Sequence, residues 1–87
     1  MIMKEFKYVI TDEVGIHARP AGLLVQEAKK YSSTIMFNKG EKSAKATALM
    51  KLMGMGIVKG DEVTVTVEGD DEEAAAAAIE AFMKEHF

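Results

Sequence analysis

Two segments of the chain alternate apolar and polar residues with the period of a β-strand. Between residues 63 and 67, valines occupy every second position and threonines lie between them. Between residues 3 and 10, Phe6, Tyr8 and Ile10 recur with the same period of two. Side chains of a strand point alternately to its two faces, so this spacing predicts two strands, each with one buried face.

A third segment carries apolar residues at the spacing of an amphipathic α-helix. Four of them fall at positions i, i+3, i+4 and i+7: Ala21, Leu24, Val25 and Ala28. The pattern extends to about Tyr31. Proline is favoured in the first turn of a helix, where its missing N–H would have no partner, so Pro20 predicts a helix start near His17 or Ala18.

The last helix is predicted to follow an acidic run at residues 70–73. Its expected buried stripe consists of Ala75, Ala78, Ile79 and Phe82. Five consecutive alanines within it favour helix, because alanine has the highest helix propensity. Asp70 is placed to cap this helix, and Glu73, three residues later, would complete a capping box.

The middle of the chain predicts a β-hairpin. Residues 34–37 and 42–46 flank a connection in which Asn38 and Gly40 tolerate a positive φ. The second arm is rich in lysine and poor in β-branched residues, so we expect it at an edge of the sheet.

A short helix is expected over residues 48–53, ended by Gly54 and Gly56 in the left-handed conformation. The complete order is β-α-β-β-α-β-α. It predicts an α+β, two-layer open-faced sandwich, in which helices cover one face of a four-stranded antiparallel sheet. With 87 residues, the chain has space for a single domain over residues 1–87.

Composition excludes several classes of function. The chain has no cysteine, so it has no disulfide, thiolate metal site or thiol nucleophile. A net charge of −3 argues against nucleic acid as a partner. Charged residues interrupt the first seven positions, and no apolar run approaches the roughly 18 residues of a membrane span. We therefore expect a cytoplasmic protein that binds no nucleic acid and does not insert into membranes.

His17 is the candidate for chemistry, because it lies at the expected strand-to-helix junction. The free N–H groups of a helix N-terminus favour an anion, and the same field disfavours imidazolium, which leaves a nitrogen lone pair available as a nucleophile. Arg19 can offer several donors to phosphate oxygens. Gly15 permits a tight turn and Pro20 fixes the first helical turn. A phosphoryl group on His17 fits this arrangement; the structural alternative is that His17 caps the helix and Arg19 is a solvated charge.

Two further features have a structural and a functional interpretation. His86 is expected in a solvated tail, because no acidic cluster beside it suggests a metal site. The run over residues 49–57 contains Met50, Met53 and Met55, which cannot all point into one small core from a short helix. Methionine is adaptable, so this run is either a docking patch for several partners or part of the core.

The segment GIHARP at residues 15–20 resembles the phosphorylation motif of HPr, the histidine-containing phosphocarrier family of the bacterial phosphoenolpyruvate:sugar phosphotransferase system. The similarity covers almost the whole chain. It includes the length, the order of elements, the methionine-rich run followed by Lys59 and Gly60, and the Glu68-Gly69-Asp70 entry to the last helix.

The resemblance implies that His17 accepts a phosphoryl group on Nδ1 from phosphorylated enzyme I and passes it to the IIA domain of a sugar permease. Arg19 would steady the phosphate, together with the main chain of Ala18 and Arg19. The resemblance further implies a monomeric carrier that is not itself an enzyme and needs no cofactor or metal. The implied docking surface for both partners comprises Ala18, Arg19, Gly22, Leu49, Met50, Lys51, Met53 and Met55.

The sequence departs from the family pattern at two positions. A serine that is phosphorylated in many relatives is replaced by Ala48, so control through that hydroxyl is absent, and Thr47 is a poor substitute because it projects differently. Val14 replaces a polar residue before the motif glycine, which removes a side-chain hydrogen bond near the phosphate. Two alternatives to a transport carrier stay open: a paralogue in a regulatory branch of the system, and an interaction module that never carries phosphate.

Overall fold

The computed structural model describes residues 3–13 and 18–87. The elements follow the order β-α-β-β-α-β-α, as predicted. They are β1 (Lys4–Val9), α1 (Ala18–Ala28), β2 (Thr34–Lys39), β3 (Lys42–Lys45), α2 (Leu49–Gly54), β4 (Glu62–Glu68) and α3 (Glu72–His86). None of the helices in the described part of the chain is both long and apolar enough to cross a membrane.

The four strands form one antiparallel sheet in the order β1-β4-β2-β3. In the central strand β4, Val63, Val65 and Val67 are fully buried, while the threonines between them are half-buried on the opposite face. Val65 lies between Phe6 of β1 and Phe37 of β2 in the sheet register. The predicted hairpin is confirmed, and its short second arm β3 lies at an edge.

The helices pack against this sheet through their predicted apolar stripes, but some buried positions and one helix end differ from the prediction. α1 buries Ala21, Leu24 and Ala28, but it ends at Ala28 rather than near Tyr31. The N–H groups of Lys30 and Tyr31 donate to carbonyl oxygens three residues earlier rather than four. The α-helix therefore ends there in tighter turns of the 3₁₀ type.

Two of the four predicted stripe positions of α3 are fully buried, and two are not. Ala75 and Ile79 are fully buried as expected, whereas Ala78 and Phe82 are half-buried. Met83, four residues after Ile79, occupies the core in place of Phe82. The stripe therefore follows a spacing of four, and Phe82 lies at its margin.

The predicted capping box of α3 is wrong. The residue before the helix is Asp71, not Asp70, and its side chain makes no capping bond. The Asp71 carboxylate instead accepts bonds from the N–H groups of Ser32 and Ser33 and from the Ser33 hydroxyl. Glu73 is exposed and forms an ion pair with Lys4. The acidic run thus joins α3 to the turn before β2 through Asp71, while the Glu72 carboxylate accepts the N–H of Gly69 at 3.3 Å.

Two further expectations are corrected. Gly54 is the last residue of α2 and has no positive φ, because the chain turns left-handed only at Gly56, with φ 67°. His86 does not lie in a solvated tail: it belongs to the last turn of α3, where its ring is 4.3 Å from that of Phe82. The next residue, Phe87, is buried in the core.

Candidate functional site

The described part of the site begins at the N-terminus of α1. Arg19 lies in the first turn with its side chain exposed, and Pro20 follows it, half-buried. None of the ion pairs formed within residues 3–13 and 18–87 involves Arg19. The guanidinium is therefore available to an anion at this helix end, where the helix field also favours negative charge. His17, Gly15 and Val14 lie outside the described residues, so their expected roles stay predictions.

α2 packs against α1 and exposes apolar side chains beside it. Leu52 is completely buried, whereas Met50 is 78% exposed and Met53 is 38% exposed. Leu49 is half-buried and Lys51 is exposed. A six-residue helix has one buried face, so the two methionines on its other faces remain in water.

α1, which packs against α2, also carries an exposed apolar side chain. Leu23 is 47% exposed, and it lies four residues after Arg19, so both side chains project from one face of the helix. Gly22 beside it is half-buried, and an added Cβ there would touch nothing within 4 Å. We call Leu23, Met50 and Met53 the apolar patch. Leu23 was not among the predicted docking residues, although its position off the Ala21–Leu24–Ala28 stripe was the available signal.

Met55 is not part of this surface, which corrects one predicted docking residue. Its side chain is only 3% exposed and belongs to the core. The residue follows α2, and its N–H still donates to the carbonyl oxygen of Leu52, so the last turn directs Met55 inward. The methionine run therefore divides: Met55 fills the core, and Met50 and Met53 face outward.

The loop after α2 is held by one lysine. The Lys39 ammonium group lies 2.7 Å from the Asp61 carboxylate and donates to the Gly56 carbonyl oxygen at 3.0 Å. The same carboxylate accepts the N–H of Val58. The hydrogen bond from Lys39 and that from Val58 hold the pKa of Asp61 below its ordinary value. These contacts fix the chain between α2 and β4.

Ala48 lies directly before α2 and leaves the helix without a side-chain cap. Thr47 precedes it with an exposed side chain. A serine at residue 48 could have capped α2, which alanine cannot do. The position is thus next to the helix that carries Met50 and Met53, but the residue present offers no hydroxyl.

Comparison with known proteins identifies the family. The model of the phosphotransferase-system HPr family, described as the HPr component phosphorylation site, matches residues 4–85. The chain belongs to the HPr family of phosphocarrier proteins. It is 42% identical over 81 residues to the phosphocarrier protein HPr of Mycoplasma capricolum subsp. capricolum. The match covers 93% of this chain and 91% of the relative.

Solved structures support the same family. The histidine-containing phosphocarrier protein of a mycoplasma is 40% identical, with a TM-score of 0.91 over 94% of this chain and 93% of that one. An HPr dimer from Thermoanaerobacter tengcongensis is 40% identical, with a TM-score of 0.75 over 94% of each chain. The predicted family and fold are therefore confirmed.

Proposed function

We propose that this member of the HPr family carries phosphoryl groups for sugar uptake. Phosphorylated enzyme I would be the donor, and the IIA domain of a sugar permease the acceptor. The observation that carries the proposal is the GIHARP segment at residues 15–20, which lies inside the matched range 4–85 and leads into a helix whose first turn exposes Arg19. The chain acts as a carrier and catalyses no turnover by itself.

The chemistry assigned to His17 is an in-line phosphoryl transfer. The Nδ1 lone pair forms a bond to phosphorus while the bond between phosphorus and the donor nitrogen breaks, and the leaving nitrogen keeps that electron pair. The neutral His17 ring carries its proton on Nε2, so Nδ1 is unprotonated when it attacks and the ring keeps that proton as the phosphoryl group arrives. The phosphoryl group brings negative charge to a ring that was neutral before transfer. The Arg19 guanidinium and the main-chain N–H groups of Ala18 and Arg19 balance this charge. The chain therefore positions the group and holds it only weakly.

Both partners are proposed to dock on one surface around Arg19. Its members are Ala18, Arg19, Gly22, Leu23, Leu49, Met50, Lys51 and Met53. Exposed apolar side chains form the centre and Arg19 and Lys51 supply positive charge, as in interfaces with an apolar core and a polar rim. A carrier that presents this face to two partners in turn is proposed to work as a monomer in the cytoplasm.

Reconstituted sugar phosphorylation tests this function. Phosphoenolpyruvate, magnesium, enzyme I and a IIA-containing permease are combined without any other HPr, and sugar phosphate is measured. Addition of this chain is expected to restore the product, and His17→Ala is expected to restore none. Equal activity of both chains would exclude transfer through His17. Binding of both chains to enzyme I, without transfer by either, would favour the interaction module.

A regulatory branch of the system is the second candidate. Ala48 favours it, because a chain without the regulatory hydroxyl can work beside a standard carrier. The test compares transfer from phosphorylated chain to IIA domains with transfer to control proteins that carry an acceptor histidine. Faster transfer to the IIA domains would support the transport role, and faster transfer to the control proteins would support the regulatory one.

A further inference from the structure

A cleft of about 160 Å³ is lined by the end of α1, the start of β2 and the end of β3. Ala28 of α1 and Ile35 of β2 form the buried apolar part of its lining. The remaining lining residues are polar: Lys29, Tyr31, Ser33, Thr34, Lys45 and Thr47. Two ammonium groups and four hydroxyl groups thus border one small space.

The two lysines of this cleft have no acidic partner. The ion pairs formed within residues 3–13 and 18–87 do not involve Lys29 or Lys45, and both side chains are exposed. No acidic residue of the described chain lines the cleft. Two unpaired cations that border one space repel each other, and an anion bound between them removes that repulsion. The charge of the lining therefore favours an anion.

The elements around the cleft carry few acidic residues. Within α1, β2, β3 and α2 only Glu27 is acidic, and its carboxylate lies 3.2 Å from the Lys30 ammonium group. The Asp71 carboxylate reaches the turn before β2, but it already accepts the N–H groups of Ser32 and Ser33 and the Ser33 hydroxyl. These four elements are therefore positively charged, although the whole chain has a net charge of −3. Charge separated in this way raises the local concentration of anions.

Main-chain hydrogen bonds fix the walls of the cleft. The Ala46 N–H donates to the Ile35 carbonyl oxygen at 2.8 Å, which joins the end of β3 to β2. The Tyr31 N–H donates to the Ala28 carbonyl oxygen at 3.3 Å and turns the chain after α1. A ligand that enters the cleft therefore has little of the main chain to order, which lowers the entropic cost of binding.

The size and chemistry of the cleft select the class of ligand. Sites for drug-sized ligands measure roughly 300–1,000 Å³, so a cleft of about 160 Å³ takes a smaller molecule. A phosphomonoester carries a charge of about −1.5 to −2 at pH 7, which two lysines balance. The hydroxyl groups of Tyr31, Thr34 and Thr47 can donate to phosphate oxygens or accept from hydroxyl groups of the ligand.

We propose that this cleft binds a small hydroxylated phosphomonoester, held at its phosphate group by Lys29 and Lys45. The site is distinct from the anion site proposed at Arg19, which lies at the opposite end of α1. An α-helix rises about 1.5 Å per residue, so about 15 Å of helix separates Arg19 from Lys29. The inference does not depend on phosphoryl transfer at His17.

The first test uses glycerol 3-phosphate as the probe, with glycerol and inorganic phosphate as controls. Amide resonances of the full chain are followed by NMR during titration at low ionic strength. We expect glycerol 3-phosphate to shift the resonances of Lys29, Thr34 and Lys45 saturably, glycerol to shift none, and inorganic phosphate to bind at least about threefold more weakly. Equal affinity for inorganic phosphate would show that the ion alone is bound and would contradict the assigned ligand class. If the largest shifts lay around Arg19, the cleft would not be the site.

The second test uses lysine variants. Lys45→Met removes one ammonium group of the cleft, whereas Lys42→Met removes an exposed lysine of the same strand that does not line it. We expect Lys45→Met, and likewise Lys29→Met, to weaken binding of glycerol 3-phosphate by at least about threefold, and Lys42→Met to leave it unchanged. Resonances far from the cleft report whether each variant is folded. Equal losses for Lys42→Met and Lys45→Met would show a general effect of charge and overturn the proposal.

Discussion

The Asp71 carboxylate accepts a hydrogen bond from the Ser33 main-chain N–H at 2.9 Å and another from the Ser33 hydroxyl. It therefore joins the start of α3 to the turn before β2. The bond from the hydroxyl, followed by that from the N–H of Ser32, holds the pKa of Asp71 below its ordinary value.

This pKa gives the fold a dependence on acid. A carboxyl whose pKa is lowered by folding stabilises the native state above its unfolded pKa, and the contribution is lost as the pH falls through the lower, folded value. We expect Asp71→Asn to lower the urea midpoint at pH 7 and the difference from wild type to shrink at acid pH. The control, Asp70→Asn, changes an exposed carboxyl with no hydrogen bond among the described residues. A difference that is constant with pH would contradict this assignment.

Gly69 lies against the same turn. A Cβ added there would lie 2.6 Å from the Cα of Ser33, and main chain cannot yield as a flexible side chain can. We expect Gly69→Ala to destabilise the protein by about 2 kcal/mol in urea unfolding. Gly22→Ala is the control, because an added Cβ meets nothing and alanine is the better helix former. It is expected to stabilise by about 0.5–1 kcal/mol. Equal effects of the two changes would disprove the contact argument.

The apolar patch makes a prediction about docking. Met53→Glu places a charge in the proposed interface centre while the side chain is already partly in water, so affinity for enzyme I should fall at least about tenfold with little change in stability. Calorimetry measures the affinity. Met3→Glu, also at an exposed methionine but beside β1 at the other edge of the sheet, should leave it unchanged.

Met55→Ala separates the core from the patch in the same experiment. Because Met55 is buried, its truncation should cost about 2–5 kcal/mol of stability. The folded fraction should bind enzyme I as wild type does. If the folded Met55→Ala variant lost affinity for enzyme I, or if Met53→Glu kept its affinity, the apolar patch would not be the docking surface.

How far the sequence predicted the structure depended on whether local patterning determined the outcome. The valines of β4 occupy the buried face at every second position, as expected, because a strand in the centre of a one-sided sheet has no other way to bury them. The capping box failed for a different reason. Asp71 makes its hydrogen bonds to residues 32 and 33, and a contact across 38 residues leaves no local pattern.

The candidate site was predictable to the same extent. Arg19 lies at the helix start that Pro20 indicated, and outward-facing methionines were expected from the length of α2. Which methionines face outward depended on where α2 ends, and the predicted end at Met53 lies one residue before the observed end at Gly54. The hydrogen bonds from Thr11 to Phe87 join residues 76 positions apart, so no local sequence pattern predicts them.

The contacts of Lys39 with Asp61 and Gly56, which hold the loop after α2, can be tested by following the titration of the Asp61 carboxyl. Lys39→Met removes the group that most lowers the pKa of Asp61, so this pKa should rise toward its ordinary value in an NMR titration. The Val58 amide resonance should shift with it, because that N–H bonds to the carboxylate. Lys42→Met at the exposed start of β3 is the control. An unchanged Asp61 titration in Lys39→Met would show that the ion pair is not formed in solution.

Phosphoryl transfer to His17 is tested most directly by the mass of the chain after incubation with phosphoenolpyruvate, magnesium and catalytic enzyme I. We expect one added phosphate that is lost in acid, maps to His17 and is absent from His17→Ala. An unmodified chain, in a reaction where a known HPr is phosphorylated, would contradict it. So would an acid-stable phosphate on a hydroxyl residue.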